Sequence, residues 1–161
     1  MIPIEKIRQL PVDYRCTIPE SYLDRMGHMN VQWYMALFNY AIPNFCNSFG
    51  IGMAYFKSRK NGVFALKHHL QYLAEVRVGE TVTMHTRLLG RSAKRLHFMQ
   101  FMVNETTGKL ACTIEVLNSH IDLTIRRTSP YPPDITEQID LLLAKHQQLD
   151  WDAPVCGAIK P

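Results

Sequence analysis

The sequence of 161 residues predicts an α+β fold: an antiparallel β-sheet wrapped around one long central helix, with a second helix near the C-terminus. Three observations carry that expectation. One apolar segment, residues 31–49, places Tyr34, Leu37, Phe38, Ala41, Ile42 and Phe45 at helical spacing. Between Gly62 and Arg127, four segments are rich in β-branched and aromatic residues and are parted by turn chemistry. Runs of strands around a single helix put it against an antiparallel sheet, and a helix this apolar must be wrapped by its own sheet, a partner chain, or both.

After Pro3 and Pro11, residues 12–18 alternate as a first strand that Pro19 stops. A loop continues to Asn30. Its side-chain oxygen can accept a bond from an unpaired first-turn N–H, so the long helix is expected to start at Val31. Pro43 removes one backbone donor and predicts a kink, and Gly50 and Gly52 end the helix. Strands are expected over 63–72, 81–89, 95–103 and 110–125. Val78-Gly79-Glu80, Gly90-Arg91-Ser92-Ala93 and residues 104–109 separate them, with Thr107-Gly108 as a hairpin tip. Pro130, Pro132 and Pro133 close the sheet, and residues 134–146 set Ile135, Ile139, Leu142 and Leu143 on one helical face. From Asp150 onward, Pro154, Gly157 and Pro161 predict an extended tail. The chain reads as a single domain, residues 1–161.

Composition narrows the function classes. With 47% apolar and 20% charged residues the chain is an ordinary globular one. A chain of this size buries roughly 68–70% of its unfolded surface and needs no disulfide or metal to fold. A net charge of +4 suits an anionic small ligand and is too mild to argue for nucleic acid. Cys16, Cys46, Cys112 and Cys156 lie far apart without C-x-x-C spacing and read as reduced thiols. The N-terminus lacks a signal-peptide pattern, and no run of about 18 apolar residues would span a membrane, so a cytoplasmic location is expected. His68 and His69 are adjacent in a strand and point to opposite faces. His85, His97, His120 and His146 show no ligand spacing, and no metal is expected.

The stretch Asp24-Arg25-Met26-Gly27-His28-Met29-Asn30-Val31-Gln32-Trp33-Tyr34 resembles the D-x-x-G-H-x-N-x-x-x-Y signature of hotdog thioesterases of the 4-hydroxybenzoyl-CoA thioesterase type. Residues 72–80 and the Glu105-Thr106-Thr107-Gly108-Lys109 turn are similar to the strand after the family's helix and to its last hairpin. Ser92-Ala93-Lys94-Arg95-Leu96-His97 and Arg126-Arg127-Thr128-Ser129-Pro130 resemble a narrower branch, the carnitine-catabolism thioesterases that cleave betainyl-CoA. The resemblance implies a hotdog fold and an acyl-CoA thioesterase. It implies Asp24 as nucleophile or base and the helix-start amide of Val31 as the group that polarises the thioester. No cofactor is implied, because CoA is part of the substrate.

The residue chemistry agrees with those roles. Thioester hydrolysis needs a nucleophile or a base for water, and donors where the carbonyl oxygen becomes an oxyanion. Asp24 supplies a carboxylate, Gly27 lets backbone approach a ligand, and the free N–H groups at a helix start favour an anion. His28 is either a catalytic or orienting group or a packed loop histidine; Asn30 is a cap that also shapes the oxyanion site. Trp33 and Tyr34 are the aromatic substrate-binding candidates, Trp33 as a cage for a quaternary ammonium because it falls off the Tyr34–Phe38–Phe45 stripe. Glu75, beside Arg77 and before a turn, reads as a surface or pairing residue. Arg91, Lys94 and Arg95, with Arg126 and Arg127, are candidates for the CoA phosphates against the alternative of a solvated charged turn. Two other readings stand beside hydrolysis: a non-catalytic acyl-CoA-binding module, and a hydratase, which the three-residue gap from Asp24 to His28 disfavours. The single-layer sheet predicts a homodimer or a tetramer, with the site in the cleft between subunits. Neither nucleic acid nor a membrane is an expected partner.

Overall fold

The computed structural model describes residues 2–161. A short helix α1 (Ile4–Ile7) and strand β1 (Tyr14–Thr17) precede the long helix α2 (Val31–Asn47). Helix α3 (Met53–Arg59) leads into β2 (Asn61–Tyr72), β3 (Thr81–Arg91), β4 (Arg95–Asn104) and β5 (Lys109–Asp122). The two-residue β6 (Arg127–Thr128) and helix α4 (Pro133–Gln147) complete the order. The sheet runs β1-β3-β4-β5-β2, with β6 paired to β5, so β2 is an edge strand. β1 pairs antiparallel with β3 from Tyr14 opposite Met84 to Thr17 opposite Thr81. No helix among the described residues is long and apolar enough to cross a membrane.

The long helix begins where its cap was expected. Asn30 Oδ1 accepts the Gln32 N–H at 3.1 Å, and Tyr34, Leu37, Phe38, Ala41 and Phe45 are buried along one face. The helix runs through Pro43 to Asn47, and the chain turns at Gly50 with φ +88°. Both α1 and α3 escape the periodicity argument. Each is too short to show a repeat, and helices of four and seven residues stand on tertiary packing of residues such as Ile7 and Tyr55. The last long strand is also shorter than expected. Asp122 Oδ1 accepts the N–H groups of Thr124 (2.7 Å) and Ile125 (3.3 Å), which ends β5 in a turn and folds β6 back on Ile121 and Asp122.

Contacts divide the chain into two compact units, and the long elements run through both. The first comprises Met1–Asn44, Leu70–Thr86 and Gln100–Ile114. In it Leu37, Phe38, Met84, Phe101 and Met102 are fully buried, and the carboxyl of Asp13 meets the backbone and hydroxyl of Thr86, just past the end of the β1 ladder. The second comprises Phe45–His69, Arg87–Met99 and Glu115–Pro161. There Phe45 packs against Phe49 and Phe98, with ring centroids 5.2 and 5.1 Å away. His146 of α4 accepts the Leu88 N–H at 2.9 Å on Nδ1, filling a strand donor that no neighbouring strand takes. The tail is extended as expected and tied down. The Cys156 N–H donates to the buried Glu115 at 2.6 Å, and Ile159 is buried.

Candidate active site

Residues 24–30 fold back on themselves before α2. The Asp24 N–H donates to the His28 carbonyl at 2.9 Å, and Leu23 bridges Met29 across the loop. The Asp24 side chain closes the same turn, because Oδ1 accepts the N–H groups of Met26 (2.8 Å) and His28 (3.2 Å). Gly27 sits inside the turn at φ +84°, a left-handed conformation that other residues resist. The loop is pinned outward by the Met29 N–H on the Val76 carbonyl (2.9 Å) and the Asn30 N–H on the Tyr22 carbonyl (2.8 Å). Bonding from backbone N–H groups, that of Met26 foremost, holds the Asp24 carboxyl below the usual carboxylate range, so it is ionised at neutral pH.

Val31 follows at the first position of α2. Asn30 serves the next two amides, its side chain taking the Gln32 N–H and its carbonyl the Trp33 N–H (2.9 Å). The Val31 N–H lies in the first turn, where no intrahelical acceptor exists, and the residue is 62% exposed. Val31 and Tyr34 line a surface groove of about 380 Å³ together with Tyr72, Leu73, Ala74 and Glu75. Tyr34 meets Tyr72 edge to face at 5.1 Å, and burial pushes the Tyr34 phenol up to about 12, so it stays a neutral wall.

Glu75 connects the groove to the loop. Its Oε2 lies 2.5 Å from His28 Nδ1, and its Oε1 accepts from Arg77 Nη2 at 2.5 Å. The Arg77 guanidinium first, and His28 after it, hold the Glu75 carboxyl below its usual range. His28 therefore joins Asp24, through its backbone, to Glu75, through its ring. Glu75 is the pairing residue that its neighbourhood to Arg77 predicted, and it also forms a wall of the groove. Nothing local in the sequence marks the second role, since His28 reaches it only through the fold.

Other candidates sit elsewhere. The Trp33 ring does not line the groove; it stacks on Tyr22 with centroids 3.7 Å apart and planes 6° from parallel. The aromatic that joins Tyr34 in the groove is Tyr72, 54% exposed at the end of β2. Arg91 spends its guanidinium fork on both oxygens of Asp140, each at 2.5 Å. Lys94 and Arg95 are exposed at the β3–β4 turn, and Arg126 and Arg127 at the turn into β6. All five belong to the second unit, whereas Asp24, His28, Val31, Tyr34 and Glu75 belong to the first. His85, His97, His120 and His146 each answer a different neighbour: the Leu10 carbonyl, Glu115, Tyr55 with Ser129, and the Leu88 amide.

An ionised carboxylate, a helix-start amide and an aromatic groove with an acidic wall are parts that can bind and cleave an ester-like carbonyl. Comparison with known proteins gives the class. A betainyl-CoA thioesterase of Pseudomonas aeruginosa is 26% identical over 141 residues, 88% of this chain and 89% of that protein. An L-carnitine dehydrogenase/betainyl-CoA thioesterase of Agrobacterium fabrum is 28% identical over 144 residues, and this chain spans 29% of that longer protein and matches over 86% of its own length. Among solved structures, a hypothetical protein of Staphylococcus aureus in complex with CoA superposes with a TM-score of 0.83 at 24% identity, covering 94% of this chain and 96% of that one. A DHNA-CoA thioesterase of the same species gives 0.75 at 19% identity, covering 84% and 92%. These neighbours share the hotdog architecture that the sequence predicts. Residues 18–139 match the family profile described as the thioesterase-like superfamily, and the chain belongs to that family as a thioester hydrolase.

Proposed function

We propose that the protein hydrolyses an acyl-CoA thioester to the free acid and CoA, with Asp24 as the reacting carboxylate and the Val31 amide as the oxyanion donor. The observation that carries this reading is the start of α2. There Val31, whose first-turn N–H has no intrahelical acceptor, lines a groove, and an ionised Asp24 stands in the loop just before it. Only one Asp24 oxygen, Oδ1, takes the two turn bonds. Oδ2 is the atom assigned to the chemistry, either attacking the carbonyl carbon or taking a proton from the attacking water. The helix dipole and the Val31 N–H stabilise the oxygen that becomes negative. Gly27 and Asn30 shape the turn, and His28, held by Glu75, orients it.

The acyl group we assign is small and cationic, as in betainyl-CoA. Tyr34 and Tyr72 offer aromatic surface, and Glu75 offers an anionic wall, to a quaternary ammonium. The two relatives whose names carry betainyl-CoA thioesterase support the same choice. Asp24→Asn tests the reaction. Turnover of the preferred ester is expected to fall by about 10²–10⁴-fold, with CoA-ester binding retained. Undiminished turnover would remove Asp24 from the chemistry.

The active form in this proposal is a homodimer, with a tetramer as its extension. Edge strand β2 is twelve residues long, its outer side takes no strand among the described residues, and Phe64 and Leu66 on it are 44% and 45% exposed. A long apolar edge is a pairing hazard unless a second copy covers it. Sedimentation at micromolar concentration is expected to give a dimer; a stable monomer would overturn this assembly.

A further inference from the structure

Residues 22–30 form a tight hairpin whose two sides lead to the two groups assigned to the reaction. Its rungs are the Asn30 N–H on the Tyr22 carbonyl (2.8 Å), the bridge between Leu23 and Met29, and the Asp24 N–H on the His28 carbonyl (2.9 Å). The Tyr22–Asn30 rung is the base. Asp24 follows Tyr22 by two positions on one side, and Val31 follows Asn30 directly on the other, where α2 starts. How the carboxylate stands to the Val31 amide is therefore set at that rung and by the tilt of the hairpin on the helix. Tyr22 has a fixed place. It ends a single 3₁₀ turn, Glu20–Tyr22, and its N–H donates to the Pro19 carbonyl at 3.0 Å. Its ring lies flat on that of Trp33 in the first turn of α2, with centroids 3.7 Å apart and planes 6° from parallel. The Trp33 N–H in turn donates to the Asn30 carbonyl at 2.9 Å. Tyr22, Asn30 and Trp33 thus close a ring of contacts around the helix start. The amides of Asn30, Gln32 and Trp33 all have partners in it, and that of Val31 is the one assigned to the substrate.

We propose that the Tyr22–Trp33 stack is the clamp that sets the Asp24 carboxylate against the Val31 amide, with both rings as positioning residues for thioester cleavage. The inference rests on the reading of Asp24 and Val31 given above. The Met29 N–H on the Val76 carbonyl and the His28 ring on Glu75 hold the hairpin to the segment after β2. Its ties to α2 are the Asn30 cap and this stack. A single rung and a cap leave the hairpin free to tilt, whereas two flat rings in face contact resist both tilting and sliding. The stack also accounts for Trp33 standing off the Tyr34–Phe38–Phe45 stripe, since its ring is spent on Tyr22. The face it gives to Tyr22 is closed to an ammonium group. Misplacing reacting groups by about 1 Å can cost a hundred-fold in rate, so a looser stack acts on turnover before it acts on substrate binding.

The test compares wild type with Tyr22→Leu, Trp33→Leu and Tyr22→Phe, each assayed well below its own Tm so that all molecules are folded. Tyr22→Leu and Trp33→Leu break the stack from its two sides, and either one carries the test if the other fails to fold. Tyr22→Phe keeps the flat ring and removes only the hydroxyl. Breaking the stack is expected to lower kcat about ten-fold for betainyl-CoA and acetyl-CoA alike, with KM for both esters nearly unchanged. Tyr22→Phe should keep the wild-type kcat. Amide hydrogen exchange gives a readout that needs no turnover. In the two Leu variants the Asn30 and Trp33 amides should exchange about ten-fold faster, while those of the central strand β4 keep their wild-type rates. Unchanged kcat in a folded Leu variant overturns the clamp. A rise in KM confined to betainyl-CoA also overturns it, because that makes the rings a substrate contact. So does a Tyr22→Phe as slow as Tyr22→Leu, which would put the role on the hydroxyl. If Asp24→Asn is inactive and the Leu variants turn over normally, the hydrolytic reading stands and the clamp falls. If wild type cleaves no ester, that reading falls, and the exchange rates alone decide whether the stack holds the hairpin to α2.

Discussion

His146 offers a test whose size follows from the structure. The ring is 4% exposed, and its Nδ1 accepts the Leu88 N–H, so the fold holds it neutral. Burial first, then the nearby charges of Arg87 and Lys145, push its pKa from 6.5 down to about 4. The folded value is the depressed one, so the unfolded chain binds the extra proton first as pH falls. The stability tied to the neutral ring is complete above pH 6.5 and is lost as pH drops toward 4. With those two values the loss amounts to about 2 kcal/mol at pH 5 and about 3 kcal/mol at pH 4. The perturbation is His146→Gln, which keeps an acceptor for Leu88 and removes the titration. Urea unfolding at fixed protein concentration, followed by tryptophan fluorescence between pH 7.5 and 5, gives the slope for both proteins. Wild type is expected to lose about 2 kcal/mol more than His146→Gln over that range. A direct readout is the imidazole resonance, which should titrate near 4. Parallel slopes for the two proteins, or a ring titrating near 6.5, would refute the reasoning.

Three further outcomes are expected. Asp24→Asn and Asp24→Ala should both lose turnover by about 10²–10⁴-fold, but only Ala, which removes the Oδ1 acceptor of Met26 and His28, should lower Tm. Equal Tm values would show that the side chain does not hold the turn. Glu75→Gln should lower the preference for betainyl-CoA over acetyl-CoA by about ten-fold, since the groove loses its anionic wall and keeps its aromatic ones; an unchanged ratio of kcat/KM values would reject a cationic acyl group at that wall. Asp13 behaves opposite to His146. Burial raises its carboxyl from 3.8 to about 6, so its contribution is intact below 3.8 and is lost as pH rises through 6. By pH 8 the buried charge costs about 3 kcal/mol, so Asp13→Asn should be more stable than wild type at pH 8 and show no such gain at pH 4; chemical denaturation at the two pH values decides it.

Local pattern was enough to read much of this protein. The period of Tyr34, Leu37, Phe38 and Ala41 and the cap at Asn30 locate α2, because helix spacing and capping depend on residues three or four apart. The turn of residues 24–30 is equally local. Its carboxylate, its glycine and the amides they serve all lie within five positions, so the candidate reacting group was visible from the sequence. Family resemblance then pointed to thioester chemistry, and the match over residues 18–139 places the chain in that family. What lies across the groove from α2 was not visible in this way. That Tyr72 and Glu75 face the helix start, that Trp33 turns to Tyr22, and that Arg91 is taken by Asp140 all depend on how distant elements pack. The same holds for His146, whose partner is a strand amide left open where β1 ends. Such contacts join segments far apart in the chain, and no spacing rule encodes them; only burial and the closing of the sheet select the partner.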